Sequence, residues 1–339
     1  MKRIVILLSA IVVLAGCKGK NAPDVSGIKV SLEVQRFEKD FFAIDTNNIV
    51  PSLKQLEAKY PHFLNDYLTG IMELPPVTDT NIKVQAVIRR FIADYKPVKE
   101  AADKAIPDIV PIVKQVKESL QFVKYYFPAY KQPTRLITFI GPMEGYSDIL
   151  TQDALAVGLQ LHLGKDAALY TSTTGQEFFP AYLSRKFTPD YIVVNCMKNI
   201  VNDIAPVVKY VNKPLVEQMV EEGKRLYVLD KLLPETQDSL KIGYTGKQLK
   251  WCKEYEGKIW NFFLTNSLLM TNEPALIKDY MNEAPHTTAL GDDSPGFIGL
   301  YIGWQIVKKY MDKNSALSLN ELLHTDTRKI FEESKYKPN

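Results

Sequence analysis

Hydrophobic residues recur at helical spacing along most of the chain and alternate with polar residues in only a few short stretches. The alternating stretches predict strands where residues 28–45 begin, at 136–140 and at 154–163, with a polar loop over 141–153. Spacing of three and four residues predicts helices at 50–72 with a break near Pro61, 82–96, 97–127 with interruptions at Pro107 and Pro111, 213–230, 246–270, 273–281, 295–313 and 318–332. Residues 191–195 fit either a strand end or the apolar start of a helix that runs to Ile204. The pattern predicts a mostly helical α+β fold with a small sheet in the first half and a helical second half.

The first 27 residues differ in character from the rest of the chain. Lys2 and Arg3 precede an apolar run over residues 4–16, which is shorter than the about 20 residues that span a bilayer and fits a secretory signal. Small residues at positions 15 and 16 precede Cys17, as in a bacterial lipobox. We predict a signal peptide over 1–16, cleavage before Cys17 and acylation of that cysteine, which anchors the protein firmly when two or three chains are attached. The alternative is an ordinary signal peptide with a chance cysteine.

The residues after Cys17 bear on location and domain organisation. No aspartate follows Cys17 directly and no acidic run follows it, so neither the inner-membrane retention rule nor a surface-export signal applies. We therefore expect the periplasmic face of the outer membrane. Residues 17–27 are polar with Pro and Gly and predict a short flexible tether, and residues 28–335 predict a single domain.

Composition and charge exclude several classes of protein. Hydrophobic residues make up 46% of the 339-residue chain, which is enough for a large core and excludes a disordered or collagen-like protein. The formal net charge is +3, and it falls to +1 when Lys2 and Arg3 leave with the signal peptide. So weak a field argues against nucleic acid as a partner.

The motifs of the common enzyme classes are absent from the sequence. A zincin protease needs His-Glu-x-x-His on one helix, so that two imidazoles face one metal ion. The two histidines closest in sequence lie 38 residues apart, and the full set is His62, His162, His286 and His324. The chain also lacks a G-x-S-x-G elbow, a phosphate-binding loop and a G-x-G-x-x-G turn. We accordingly predict no catalytic residue, no metal ligand and no cofactor.

A glycine-rich segment near the C-terminus is the most structured motif in the sequence. Ser294 is a suitable N-cap and Pro295 fits the first helical position. Gly296, Gly299 and Gly303 then share one helical face, although each interior glycine costs about 1 kcal/mol relative to alanine. This face predicts close packing against another backbone, and contact with a ligand or partner at the helix start is the alternative.

Two cysteines remain after Cys17. Cys196 lies in an apolar stretch and Cys252 is next to Trp251. A disulfide is possible in the oxidising periplasm, but buried free thiols are the preferred interpretation because free cysteine is among the most buried residue types.

Several motifs, in order, resemble the GldB family of gliding-motility lipoproteins from Bacteroidetes over about residues 28–330. They are residues 36–42 (RFEKDFF), 60–63 (YPHF), 159–164 (LQLHLG), 221–224 (EEGK), 243–245 (GYT), 256–260 (EGKIW), 294–296 (SPG) and 303–307 (GWQIV). The resemblance implies a lipoprotein outside the cytoplasm that is needed for gliding and is linked to type IX secretion.

The GldB family is distantly similar to predicted zinc proteases, and this implies a zincin-like architecture. In those relatives the His-Glu-x-x-His helix falls near residues 195–203, after a strand at 191–194. Here residues 196–203 contain neither His nor Glu, and only Glu222 resembles the place of a third ligand. The resemblance therefore implies the fold of a protease without its activity.

Together these observations predict a non-catalytic, protease-like scaffold or binding domain, anchored to the membrane through Cys17 and bound to envelope proteins of the gliding or secretion machinery. The candidate residues of a partner site or vestigial cleft are Glu222, Ser294, Gly296, Gly299 and Gly303. Two alternatives remain: a periplasmic metal-dependent hydrolase or peptidase with an unrecognised site, and a plain structural subunit of an envelope complex.

Overall fold

The computed structural model describes residues 22–76, 81–145, 147–206, 210 and 212–338. The predicted signal peptide and the predicted lipidation site Cys17 lie outside the described residues. The end of the predicted tether is described. Val25 is buried, and the carbonyl oxygen of Ile28 accepts a hydrogen bond of 2.8 Å from the Gln121 side chain. The chain thus contacts the domain eight residues after Cys17.

A four-stranded sheet lies in the first half of the chain. Its strands are β1 (Glu33–Arg36), β2 (Arg135–Phe139), β3 (Asp148–Leu150) and β4 (Ala154–Gly158), in the order β1-β2-β4-β3. The pairs β1–β2 and β2–β4 are parallel, and β3 is antiparallel to β4 with Ile149 opposite Ala156. Every residue of β4 is buried, as expected for a parallel strand that is covered on both faces.

Helices surround the sheet and form the rest of the domain. Those that precede β2 are α1 (Phe37–Phe41), α2 (Ile49–Lys59), α3 (Phe63–Asp66), α4 (Ile82–Ala105) and α5 (Val110–Tyr126), with a π-helical turn at Tyr67–Ile71. Those between β4 and residue 205 are α6 (Ala168–Thr171), α7 (Thr173–Phe178), α8 (Ala181–Ser184) and α9 (Tyr191–Ile204), after a 3-10 turn at Leu159–Leu161. The remainder are α10 (Leu215–Leu232), α11 (Asp238–Ile242), α12 (Gly246–Glu254), α13 (Glu256–Thr265), α14 (Pro274–Met281), α15 (Ile298–Lys313), α16 (Leu319–His324) and α17 (Thr327–Ser334), with a 3-10 turn at Thr288–Leu290.

The predicted fold class, mostly helical α+β with a small sheet in the first half, is confirmed. Two details of the strand prediction are wrong. Residues 141–153 are not only a loop, because β3 lies within them. The predicted strand 154–163 ends at Gly158, since Gln160 and His162 are buried and hydrogen-bonded instead of alternating into solvent.

Most helix predictions agree with the structure, but the predicted helix 246–270 is divided at Tyr255 into α12 and α13, and α6, α7, α8 and α11 were not predicted. The break near Pro61 is present between α2 and α3, and α4 continues through Pro97. Residues 191–194 form the start of α9, so the helical interpretation is right and the strand is wrong. The predicted helix at 295 begins three residues later, because the Ser294 hydroxyl donates to the carbonyl oxygen of Gly291 and does not cap the helix.

The second half of the domain is organised by the contact between α10 and α15, the most extensive helix pair in the described fold. A Cβ atom placed on Gly303 would lie 1.7 Å from the carbonyl oxygen of Met219, and one on Gly223 would lie 2.3 Å from the backbone of Gly303. The two helix backbones therefore touch, and only glycine fits at these crossing points.

Candidate functional site

A buried polar cluster lies where β3 meets α9. The imidazole Nε2 of His162 is 3.0 Å from both carboxylate oxygens of Asp148, and its Nδ1 is 3.1 Å from the carbonyl oxygen of Thr188. Asn195 donates to the Asp148 carboxylate at 2.7 Å, and Asn199 donates to the Asp148 carbonyl at 2.9 Å. These contacts tie the edge strand of the sheet to the helix.

The His162–Asp148 pair is an ion pair inside the protein. The side chains of His162 and Asp148 are each only 1% exposed. Burial alone would lower the pKa of His162, but the Asp148 carboxylate and the two hydrogen bonds outweigh it and raise the pKa. Because a carbonyl oxygen can only accept, Nδ1 donates to Thr188, and the protonated imidazole donates to Asp148 from Nε2 as well.

The cluster is positioned by the amphipathic character of α9. Apolar residues at 192, 193, 196, 197, 200 and 201 are buried in the core. The polar residues Asn195, Lys198, Asn199 and Asn202 recur at intervals of three and four and therefore share the other face. This face carries three amide groups and one ammonium group.

Next to this face lies a cavity of about 150 Å³ between α9, α10 and the start of α15. Its lining is apolar on one side and polar on the other. The lining residues are Lys198, Val201, Asn202, Glu222, Arg225, Leu226, Leu229, Lys241, Phe297 and Leu300. Three of the charged side chains in the lining are cationic and one is anionic.

Two of the three cations in the lining have anionic partners among the described residues. Arg225 is 3.2 Å from the Glu221 carboxylate, which lies 2.7 Å from Lys224 on its other oxygen. Lys241, whose side chain is 1% exposed, donates to Asp230. Such pairs compensate for the desolvation of buried charges.

Lys198 is in a different position. Among the described residues it has neither a hydrogen-bond partner nor an ion-pair partner. Burial and the nearby Lys186 lower the pKa of Lys198 to about 8, against the opposing effects of Glu283 and Glu222. The Nε of Arg225 is likewise buried without a hydrogen-bond partner among the described residues. That nitrogen is closed off from solvent, so Lys198 is the donor that the described lining has available for a ligand.

The structure separates the predicted site residues. Glu222 lines the cavity, and the hydroxyl of Tyr210 donates to its carboxylate. Ser294 is fully buried and accepts a 3.0 Å hydrogen bond from the backbone N–H of Thr287.

The three predicted glycines belong to packing contacts and not to the cavity lining. A Cβ on Gly296 would lie 2.3 Å from the Ala284 carbonyl oxygen, and one on Gly299 would lie 2.4 Å from the Met281 sulfur. Gly303 packs on α10 as described above.

The polar members of the site were missed by the sequence prediction. Asp148, His162 and Asn195 lie in three separate segments, so their proximity depends on the fold. The i, i+3, i+4 and i+7 spacing of polar residues on α9, beginning at Asn195, was a visible signal for the cavity face. Across the described ranges, the chain has no group of three or more His, Cys, Asp or Glu side chains that could hold a metal ion.

The prediction of free thiols is confirmed. Cys196 and Cys252 are unpaired and buried. Burial raises the pKa of both thiols, with Asp148 adding to the effect at Cys196 and Glu256 at Cys252. Neither cysteine is a candidate nucleophile.

Comparison with known proteins adds an independent line of evidence. The family described as gliding motility protein GldB matches residues 18–338. The chain belongs to this family. Residues 1–17 match the prokaryotic membrane lipoprotein lipid attachment site, in agreement with acylation at Cys17. No curated protein and no solved structure matches the chain.

Membership confirms the predicted GldB resemblance and the lipoprotein prediction. This GldB-family member is a gliding-motility lipoprotein that is anchored to a membrane of the cell envelope by its acylated cysteine. Each helix in the described part of the chain is too short or too polar to cross a bilayer. The zincin-like similarity stays a prediction.

Proposed function

We propose that this GldB-family lipoprotein is a non-catalytic, protease-like scaffold or binding domain on the periplasmic face of the outer membrane. It would hold an envelope protein of the gliding machinery, with a link to type IX secretion. The proposal goes beyond family membership in three respects: the absence of catalysis, the membrane face and the partner.

One observation carries the non-catalytic part of this proposal. In the proposed protease-like architecture α9 takes the place of the metal-binding helix, and its residues Asn195 and Asn199 are both engaged with Asp148. Amide side chains are poor zinc ligands compared with His, Cys and carboxylate side chains. Here they fasten a strand to a helix, which is a structural task.

The location is supported by the N-terminal sequence and by the short distance to the folded domain. Ala22, the first described residue, comes five residues after Cys17. A chain of five residues spans at most about 18 Å. The domain is thus held close to the membrane surface, where other envelope proteins are within its reach.

Photo-crosslinking in cells tests the scaffold role. Asn202 is exposed on α9 and lines the cavity, so a photoreactive residue in its place samples a partner at this face. We expect one specific crosslinked envelope protein, and the same label at the exposed Lys250 on α12 serves as the control. Absence of a crosslink specific to position 202 would count against a partner at this face.

Metal content and peptidase activity of the purified lipoprotein test the non-catalytic role. We expect neither stoichiometric zinc nor specific cleavage. About one zinc ion per chain together with cleavage that Glu222→Ala abolishes would establish the alternative, a metal-dependent hydrolase with an unrecognised site. Glu118→Ala, on the exposed side of α5, is the matched control.

A further inference from the structure

The cavity beside Lys198 combines an apolar wall with a small number of hydrogen-bond donors. The wall is formed by Val201, Leu226, Leu229, Phe297 and Leu300. An apolar cavity of about 150 Å³ accommodates benzene in another protein, so this volume holds a body of roughly six heavy atoms. Pockets of this composition, apolar with a few convergent polar groups, are typical of ligand sites.

The available donor identifies the chemistry that a ligand would have to supply. Lys198 presents an ammonium group, whereas the terminal guanidinium nitrogens of Arg225 donate to Ala205, Pro206 and Glu221. An ammonium group only donates, so the matching ligand group must be an acceptor. An ionised carboxylate accepts through both oxygens and forms stronger hydrogen bonds with charged donors than a neutral group does.

The charges around the cavity limit the ligand to a single negative charge. Glu221 is shared between Arg225 and Lys224, and Asp230 pairs with Lys241, so Lys198 is the cation of the lining that has no ion-pair partner among the described residues. Glu222 is in the lining as well and would repel a second negative charge. A phosphate ester or a dicarboxylate is therefore disfavoured relative to a monocarboxylate.

Backbone strain at the same cavity supports a binding role. Phe297, which lines the apolar wall, has a φ of +56°, in the left-handed region that bulky residues rarely occupy. Its carbonyl oxygen accepts a hydrogen bond of 3.0 Å from the hydroxyl of Tyr244, which holds this conformation. Strained residues concentrate at ligand and functional sites.

We propose that this cavity binds a monocarboxylate carried on a short branched apolar chain, with the Lys198 ammonium group donating to the carboxylate. The apolar chain packs against Leu226, Leu229 and Phe297. Two sources share this chemistry: a free short-chain carboxylic acid, and the C-terminal residue of a polypeptide that ends in a leucine-like side chain. The site goes beyond the proposed scaffold role, because it specifies a ligand that no scaffold requires.

Equilibrium dialysis of the purified mature lipoprotein with isovalerate tests the proposal, and isovaleramide is the probe that lacks only the charge. We expect the acid to bind at least about tenfold more tightly than the amide. Lys198→Met should weaken binding of the acid by about tenfold or more, and Lys198→Arg should retain most of it. Lys250→Met is the matched control, because Lys250 is exposed on α12 and does not line the cavity.

Other outcomes of these binding experiments would either overturn the proposal or identify the source of the ligand. Equal binding of acid and amide, wild-type affinity in Lys198→Met, or no binding of either probe would overturn the proposal. A peptide that ends in leucine with a free carboxylate, compared with its C-terminal amide, identifies the source: tighter binding of the free-acid peptide than of isovalerate assigns a polypeptide end. If Lys198→Met loses the ligand but the crosslink at position 202 persists, the ligand site and the scaffold role are separate.

Discussion

Replacement of Gly303 by alanine tests the organisation of the helical half most directly. The new Cβ would lie 1.7 Å from the Met219 carbonyl oxygen, whereas Cβ atoms essentially never approach another heavy atom within 3.0 Å. Restoring even 3.0 Å requires α10 and α15 to separate locally by about 1.3 Å. No side chain can rotate away here, because the atom met is backbone.

The expected cost follows from two opposing effects. Alanine favours a helix interior over glycine by about 1 kcal/mol. Overpacking in a well-packed core typically costs about 1–3 kcal/mol and more when the backbone must move. Since α10 and α15 form the most extensive helix contact of the described fold, we expect a net loss of about 3 kcal/mol in the free energy of unfolding.

Equilibrium urea unfolding, followed by circular dichroism, measures this loss, and thermal melting provides a second readout. For roughly 310 residues at about 2.1 cal/mol/K each, a loss of about 3 kcal/mol lowers the melting temperature by about 5 °C. Gly70→Ala is the control, since Gly70 is in the π-helical turn and a Cβ there meets nothing within 4 Å. Equal stability of the two variants would refute the close approach of the helices.

Three further predictions concern buried polar groups. The folded-state pKa of His162 is raised, so the stability advantage of the wild type over His162→Gln should be complete below about pH 6.5 and decline as pH rises through that raised pKa. Urea unfolding of both proteins between about pH 5.5 and 8.5 measures this stability advantage, and an advantage that grows with pH would contradict the ion pair. Asp230→Ala leaves the buried Lys241 ammonium with one partner fewer and should cost about 3–5 kcal/mol by urea unfolding; a loss below about 1 kcal/mol would contradict a buried pair. Cys196 and Cys252 should react with maleimide only in denaturant, as counted by mass spectrometry, and rapid labelling of the native protein would contradict their burial.

The general fold could be predicted because the hydrophobic residues of most segments keep one spacing, either helical or alternating. The breaks at Pro61 and near Pro107 were visible in the sequence, since proline restricts the residue before it and lacks an N–H. Strand β3 could not be predicted in this way. It has three residues, and it is a strand only because Leu150 and its neighbours find an antiparallel partner in β4.

Local sequence signals failed where tertiary hydrogen bonds competed with them. Alternation at residues 159–162 predicted a half-buried strand, yet the polar residue Gln160 is completely buried and accepts from the backbone N–H of Gly141. Ser294 has the right identity for a helix cap, but its hydroxyl is engaged with the loop at Thr287 and Gly291. The candidate cavity also escaped prediction, because its lining residues, such as Lys198 and Arg225, come from different helices and meet only in the fold.

The polar face of α9 has two distinct roles, and this division connects the proposals. Asn195 and Asn199 are used internally, since their hydrogen bonds to Asp148 fix β3 on the helix. Lys198 is between them in sequence but adjoins the cavity, together with Asn202 one turn later. A face that carried metal ligands at 195 and 199 could not also hold Asp148 in this way. The network that supports a non-catalytic role therefore also fastens to β3 the helix that carries Lys198 at the cavity.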